Sequence, residues 1–322
     1  MLNKPKCPVI AIEEHYWDPE MAAHFTGVEA GRPGETHQRL LDLGALRIKE
    51  MEEAGIDMQV LSVAAPAAQQ TPAEDAVPLA IALNDRCAEV VAAHPDRFQA
   101  LASLPTTDPG AAAAEAKRAV SELGFRGVVI NGHTEGRFLD APEFDELLGA
   151  IEQLDVPVYL HPTYPPPEVA EIYFGGLPAP VSLALATAAW GWHAETGLHV
   201  LRLAVGGVFD RHPGLRVVVG HMGENLPFSL MRADAVLSGA RPGQRSVADI
   251  VREHVHITVC GYPTVPPLLC ALSVFGADRI LFSTDYPFGD AVVHSRFLAE
   301  APISPTDRDK IGHHNARQLF RL

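Results

Sequence analysis

The chain has 322 residues, 47% of them hydrophobic, and a formal net charge of −15. That length suits one large core of the α/β barrel kind. The acidity argues against nucleic acid and anionic membrane as partners, and no apolar run is long enough to span a bilayer.

Val9-Ile10-Ala11-Ile12 is a short apolar run that predicts a buried strand, and it leads straight into Glu13, Glu14 and His15. Side chains alternate along a strand, so Glu13 and His15 share one face while Glu14 turns outward or finds a hydrogen bond. A carboxylate beside an imidazole at the end of a buried strand is costly to leave unpaired, and a divalent metal would satisfy both. A polar loop, Tyr16 to Gln38, precedes a helix from Leu40 to Ala54 that Gly55 closes. The second strand is Asp57–Val63. A long Ala-rich helix, Ala73 to His94, stops before Pro95, and Phe98–Leu104 is the third strand. Asp108-Pro109 opens the next helix with a cap and a first-turn proline. Arg126–Ile130 is the fourth strand, Pro142–Leu154 a helix, and Val156–His161 the fifth strand. A Pro-rich stretch, Pro162 to Pro180, predicts a lid or pocket-wall loop, followed by a long helix reaching about Phe209. Leu215–Gly220, His254–Val259 and Arg279–Ser283 are the sixth to eighth strands, with a polar loop from Ser238 to Arg245 and a terminal helix over Thr306–Phe320.

About eight strand–helix units without a detectable sequence repeat predict a single-domain (β/α)₈ barrel over 1–322. A dinucleotide fold is disfavoured, since no G-x-G-x-x-G follows the first strand. No G-x-S-x-G elbow is present either. The four cysteines, at 7, 87, 260 and 270, lack C-x-x-C spacing and are expected to be reduced thiols in a cytoplasmic protein. No long apolar segment precedes the first strand, so a signal peptide is not expected.

Barrel chemistry sits at the C-terminal ends of strands. Glu13, His15, His161, His221 and Asp285 all fall there. Two imidazoles with two carboxylates make a mixed N/O set suited to zinc, or to manganese and similar ions. A lone strand-end histidine is as often structural; agreement across four strand ends is the stronger signal. His193, Glu195 and His199 lie on the long helix without H-E-x-x-H spacing and are assigned to an ordinary polar face. His313 and His314 are assigned to the surface, and Trp190 and Trp192 to core or interface.

With these motifs in view, the sequence resembles the amidohydrolase superfamily, specifically its metal-dependent non-oxidative decarboxylases of the γ-resorcylate and aminocarboxymuconate-semialdehyde type. The resemblance spans nearly the whole chain. Its carriers are Ile12–His15, Gly55–Ser62, Tyr159–Pro162, Gly220–Pro227 and Leu281–Phe288, the last two being the most specific. The E-x-H form of the first strand is similar to the hydroxybenzoate branch. The fourth strand ends in Asn131-Gly132-His133 with no lysine to carboxylate, which points to one metal rather than two. The resemblance implies one divalent ion (zinc or manganese, with magnesium a third candidate) held by Glu13, His15, His161 and Asp285, and no organic cofactor. It implies His221 and Glu224 as a catalytic pair with Asp285, and Asn131 and Arg232 as substrate contacts, the latter reaching a neighbour's site in a homodimer or homotetramer. Tyr16-Trp17-Asp18, Thr163 and a shorter loop after Asn131 depart from the resorcylate pattern and leave the aromatic acid open.

The implied reaction is reversible loss of CO₂ from a hydroxylated aromatic carboxylate. Its barrier is protonation of the ring carbon, and the donor is Asp285 or His221: a metal lowers a carboxyl pKa, whereas an acid catalyst needs it near working pH. Two alternatives stand beside this: a metal-activated water hydrolysing a lactone or amide, with His221 as base, and a metal-binding barrel without activity.

Overall fold

The computed structural model describes residues 5–25 and 34–322. Part of the Tyr16–Gln38 loop, and the first four residues of the N-terminal stretch, lie outside them. Nine parallel strands run in chain order: β1 (Ile10–Tyr16), β2 (Met58–Val63), β3 (Phe98–Ala100), β4 (Ala102–Ser103), β5 (Val128–Asn131), β6 (Val158–His161), β7 (Val217–Val219), β8 (Val255–Thr258) and β9 (Ile280–Leu281). β3 and β4 are two halves of the predicted third strand. The first half pairs back onto β2 and the second pairs forward onto β5, so the ladder changes partner at Leu101, whose N–H donates to Leu61 O. The eight strand positions close at the seam, where Ile12 N donates to Phe282 O (3.0 Å) and His15 N to Tyr286 O (2.7 Å). The result is a (β/α)₈ barrel. Strand residues are buried almost throughout, as a parallel sheet covered by helices requires.

Several predicted elements break where capping chemistry intervenes. The helix Leu40–Ala54 is two helices, Gly34–Leu41 and Ala45–Ala54. Asp42 interrupts it by accepting from Gly44 N and Arg47 N. The Pro162–Pro180 loop contains helix Pro167–Phe174, and Pro180 lies in a second helix, Ala179–Ala186. Pro167 and Pro180 occupy first turns, where no N–H is needed, and Pro166 and Pro178 sit at the N-caps. The long helix is likewise Gly191–Val205 and then Val208–Arg211. Gly191 is obligatory at that turn: a Cβ would lie 2.2 Å from Ala186 O. His313 is buried, contrary to its surface assignment, because the terminal helix makes one wide turn at Lys310–His314 that tucks it inward. Trp190 is exposed. Among the described residues no single helix is long and apolar enough to cross a membrane.

Candidate metal centre and active site

The first strand does not run straight into the site. Ile12 pairs with Val60 and Glu14 with Leu61, so Glu13 is an extra residue, a bulge at φ 81°. Glu13 is fully buried at the barrel end. Its Oε2 accepts from Thr258 Oγ1 and Cys260 Sγ, each at 2.6 Å, while Oε1 has no hydrogen-bond partner and lies 3.7 Å from His221 Nδ1. Burial pushes the Glu13 carboxyl pKa up against the pull of His221. Gly220 makes room for it, since a Cβ there would stand 2.3 Å from Oε1.

The neighbouring imidazoles are candidate ligands. His161 Nδ1 donates to Pro162 O at 2.7 Å, which leaves the Nε2 lone pair bare. Burial, then the charges of His15 and His221, hold its pKa well below the ordinary value, so the ring is neutral. His15 Nδ1 lies 3.1 Å from Ser62 Oγ, and Nε2 faces Asp285 Oδ1 at 3.3 Å. Burial would raise the Asp285 pKa, but hydrogen bonding to His15 and His221 carries it well below the usual carboxylate range. One ligand atom from each of Glu13, His15, His161 and Asp285 falls within 4.8 Å of all the others. Two imidazoles and two carboxylates, with orphaned Glu13 Oε1 and His15 Nε2 among them, are a donor set that fits one divalent cation. The same spacing joins Glu13, His221 and Cys260. That group is a poorer cradle, because burial holds the Cys260 thiol protonated and it already donates to Glu13.

Glu14 is buried rather than outward. It accepts from Thr284 N (2.8 Å), Thr284 Oγ1 (2.7 Å) and Gln59 Nε2 (3.1 Å), and burial pushes its pKa to about 8. Arg47, also buried, donates to Gln59 Oε1 and to His15 O. This network backs the candidate ligands from below.

His221 follows β7 in a backbone turn that the sequence does not announce. Residues 221–225 all have positive φ, from 48° to 84°. For non-glycine residues that conformation costs roughly 1–2 kcal/mol each, strain that is typical of functional turns. The turn brings Glu224 Oε1 to 2.7 Å from His221 Nδ1 and aims His221 Nε2 toward Asp285 Oδ2 at 3.9 Å. Burial alone would lower the His221 pKa, but the Glu224 and Glu13 carboxylates carry it well above the ordinary value. Glu224 Oε2 in turn meets His193 Nδ1 at 2.6 Å. His193 and His199 are both buried, so the polar-face assignment fails for them. Periodicity on one helix carries no signal of a partner on another.

A cavity of about 620 Å³ opens onto this cluster; His161, His221 and Asp285 meet Trp192, Tyr262 and Phe288 in its walls. Its aromatic sides suit a flat ring. Asn131 is buried at the end of β5. The Gln69 carboxamide grips its backbone from both sides, accepting from Asn131 N (2.5 Å) and donating to Asn131 O (3.1 Å), while both side-chain amide atoms lack partners. Arg232 is exposed on helix Leu226–Ala240 and does not line the cavity of its own chain. Gln69, Ser62, Thr258 and Cys260 were missed in the sequence; each acts through a backbone or ligand contact that no motif encodes.

The amidohydrolase family profile matches residues 12–322. A γ-resorcylate decarboxylase from Rhizobium radiobacter is 40% identical over 326 residues, covering 97% of this chain and 98% of the relative. A crystal structure of 2,6-dihydroxybenzoate decarboxylase complexed with 2,6-dihydroxybenzoate superposes with a TM-score of 0.89 at 39% identity, covering 98% and 99% of the two chains. A dihydroxybenzoic acid decarboxylase from Polaromonas sp. JS666, with bound manganese and the inhibitor 2-nitroresorcinol, gives a TM-score of 0.88 at 37% identity over 98% and 97%.

Proposed function

The chain belongs to the amidohydrolase family, and from that premise we propose that it is a metal-dependent, non-oxidative carboxy-lyase acting on a hydroxylated aromatic acid. The observation that carries this reading is the four-residue ligand cluster at the mouth of a cavity walled by aromatic rings. The named decarboxylases at about 40% identity over nearly the whole chain support it.

Glu13, His15, His161 and Asp285 would hold one divalent ion. Its bare Nε2 and carboxylate oxygens suit zinc or manganese, and the manganese in the Polaromonas relative favours the latter. When bound, such an ion polarises substrate oxygens as a Lewis acid and fixes the ring's orientation. Glu224 accepts from His221 Nδ1–H, and the Glu224 and Glu13 carboxylates keep the ring in its doubly protonated form, so His221 presents Nε2–H to the substrate. That proton passes to the ring carbon bearing the carboxylate. A C–H bond forms, the C–C bond to CO₂ breaks, and its electron pair restores the aromatic ring. Asp285 is better suited to accepting than to giving a proton, because both its oxygens face imidazole nitrogens. The unpaired amide of Asn131 is the proposed contact for a polar group on the substrate. Microscopic reversibility requires that the same groups carboxylate a phenol at high bicarbonate.

A cytoplasmic homodimer or homotetramer belongs to the same proposal. Phe228, at 91% exposure, and Met231 accompany Arg232 on one helix, an apolar surface suited to a second copy. The test is CO₂ release from a panel of hydroxybenzoates, 2,6-dihydroxybenzoate first, by the manganese- and zinc-loaded protein. Turnover of lactones or amides with none of any hydroxybenzoate would replace the decarboxylase with a hydrolase.

A further inference from the structure

His193 lies on helix Gly191–Val205, outside the candidate ligand set, yet it is buried and both ring nitrogens are engaged. Nε2 meets Ala188 O at 2.8 Å and Nδ1 meets Glu224 Oε2 at 2.6 Å. The Ala188 carbonyl can only accept, so Nε2 carries a hydrogen. A second proton lies between Nδ1 and Oε2, because two lone pairs do not face each other at that distance. Glu224 therefore bridges two imidazoles, His193 through Oε2 and His221 through Oε1. Its carboxylate is fully buried, and these two rings are its side-chain donors. The Ala188 end of the chain of contacts is a wall of the substrate cavity, and His193 itself faces that cavity.

We infer that His193 is a positioning residue for the proton-transfer step: it pins the Glu224 carboxylate in the rotamer that orients His221. Without the Nδ1–H donor, a buried carboxylate loses one of two hydrogen bonds and rotates toward whatever donor remains. His221 then loses the fixed direction of Nε2–H. Because His193 also faces the cavity, every substitution there removes a ring from its wall, and the contrast between variants isolates the Glu224 contact. The loss of the Glu224 contact is read in kcat. This inference deepens the functional reading above and rests on it.

Two near-isosteric variants separate the two ends of the imidazole. The amide nitrogen of Asn sits where Nδ1 was and reaches Glu224 but not Ala188. That of Gln sits where Nε2 was and reaches Ala188 but not Glu224. Expected for His193→Asn is a kcat within a few-fold of the native enzyme. Expected for His193→Gln and His193→Phe is a kcat lower by about 10- to 100-fold, the usual scale for losing an orienting partner. KM should shift alike for Asn and Gln, since both remove the same ring from the cavity wall, and the bound-metal stoichiometry should be unchanged in all three. Parity of Gln with Asn, or a better Gln variant, would mean that His193 only anchors the Ala188 turn, and would overturn the inference. So would three variants of native kcat beside an inactive His221→Asn control. A fully active His221→Asn would instead bring down the reading on which the inference rests.

Discussion

Glu14 receives two hydrogen bonds from Thr284, one from its backbone N–H and one from its hydroxyl. These residues sit next to two candidate ligands, His15 and Asp285, so a single carboxylate ties the first strand to the last beneath the proposed ion. Glu14→Gln replaces an acceptor oxygen with a donor facing Thr284. Metal affinity should fall by about 10- to 100-fold, as for other outer partners of ligands. Competition with a chelator of known affinity measures it, and native affinity in the variant would refute the role.

Gly220→Ala tests the space beside Glu13. The new methyl would lie 2.3 Å from Oε1, so the carboxylate must leave its position. Backbone φ at Gly220 is −73°, which alanine tolerates, so the fold should survive. Circular dichroism should stay native while bound metal and turnover both fall, turnover by a factor on the order of a hundred, the upper end for a disturbed ligand environment.

Chelation should abolish decarboxylation, and re-addition of manganese or zinc should restore it. With a cradle that only the folded chain assembles, free metal at a hundred times its Kd should add about 2.7 kcal/mol of stability. Equal unfolding midpoints with and without metal would contradict a site built from the ends of several strands.

His199 supplies a pH prediction away from the proposed metal. Its Nε2 accepts from Leu139 N at 2.8 Å, which requires a neutral ring, and burial lowers its pKa to about 3. The unfolded ring titrates near 6.5. Between those values the unfolded state binds the extra proton, so stability is complete above about pH 6.5 and declines as pH falls toward 3. The loss at pH 5 is about 2 kcal/mol. His256, also lowered to about 3 by burial, adds a parallel slope. His199→Gln keeps an acceptor for Leu139 and cannot titrate; its urea midpoint should fall less steeply between pH 6.5 and 5 than the native one.

Arg232 decides whether the site is shared between copies. Co-expressed Arg232→Ala and His221→Asn chains, each inactive alone, should recover activity in mixed oligomers if the arginine serves a neighbour's cavity. Absence of recovery, with mixed oligomers demonstrated by mass, would confine each site to one chain.

The barrel was legible because buried parallel strands appear as apolar runs at regular intervals, and each ligand candidate is an ionisable residue ending such a run. His161 and Asp285 needed no more than that. Glu13 lies at the barrel end, but not by simple alternation: a bulge that no residue preference marks puts it there. The left-handed turn at 221–225 was hidden because only one of its residues, Gly223, is a glycine. His193 was hidden for a different reason, since its partner Glu224 lies 31 positions away on another element. The helices within Pro162–Pro180 were missed because proline signals both a loop and a first helical turn.

The seam between β1 and the last strand orders events in time. A polypeptide leaves the ribosome N-terminus first, so Glu13 and His15 emerge long before Asp285. Until that last aspartate arrives, the early pair lacks both the fourth candidate ligand and the Thr284 contacts to Glu14. A nascent chain short of residue 285 therefore carries only part of the candidate cradle, which is complete when the two ends of the barrel meet.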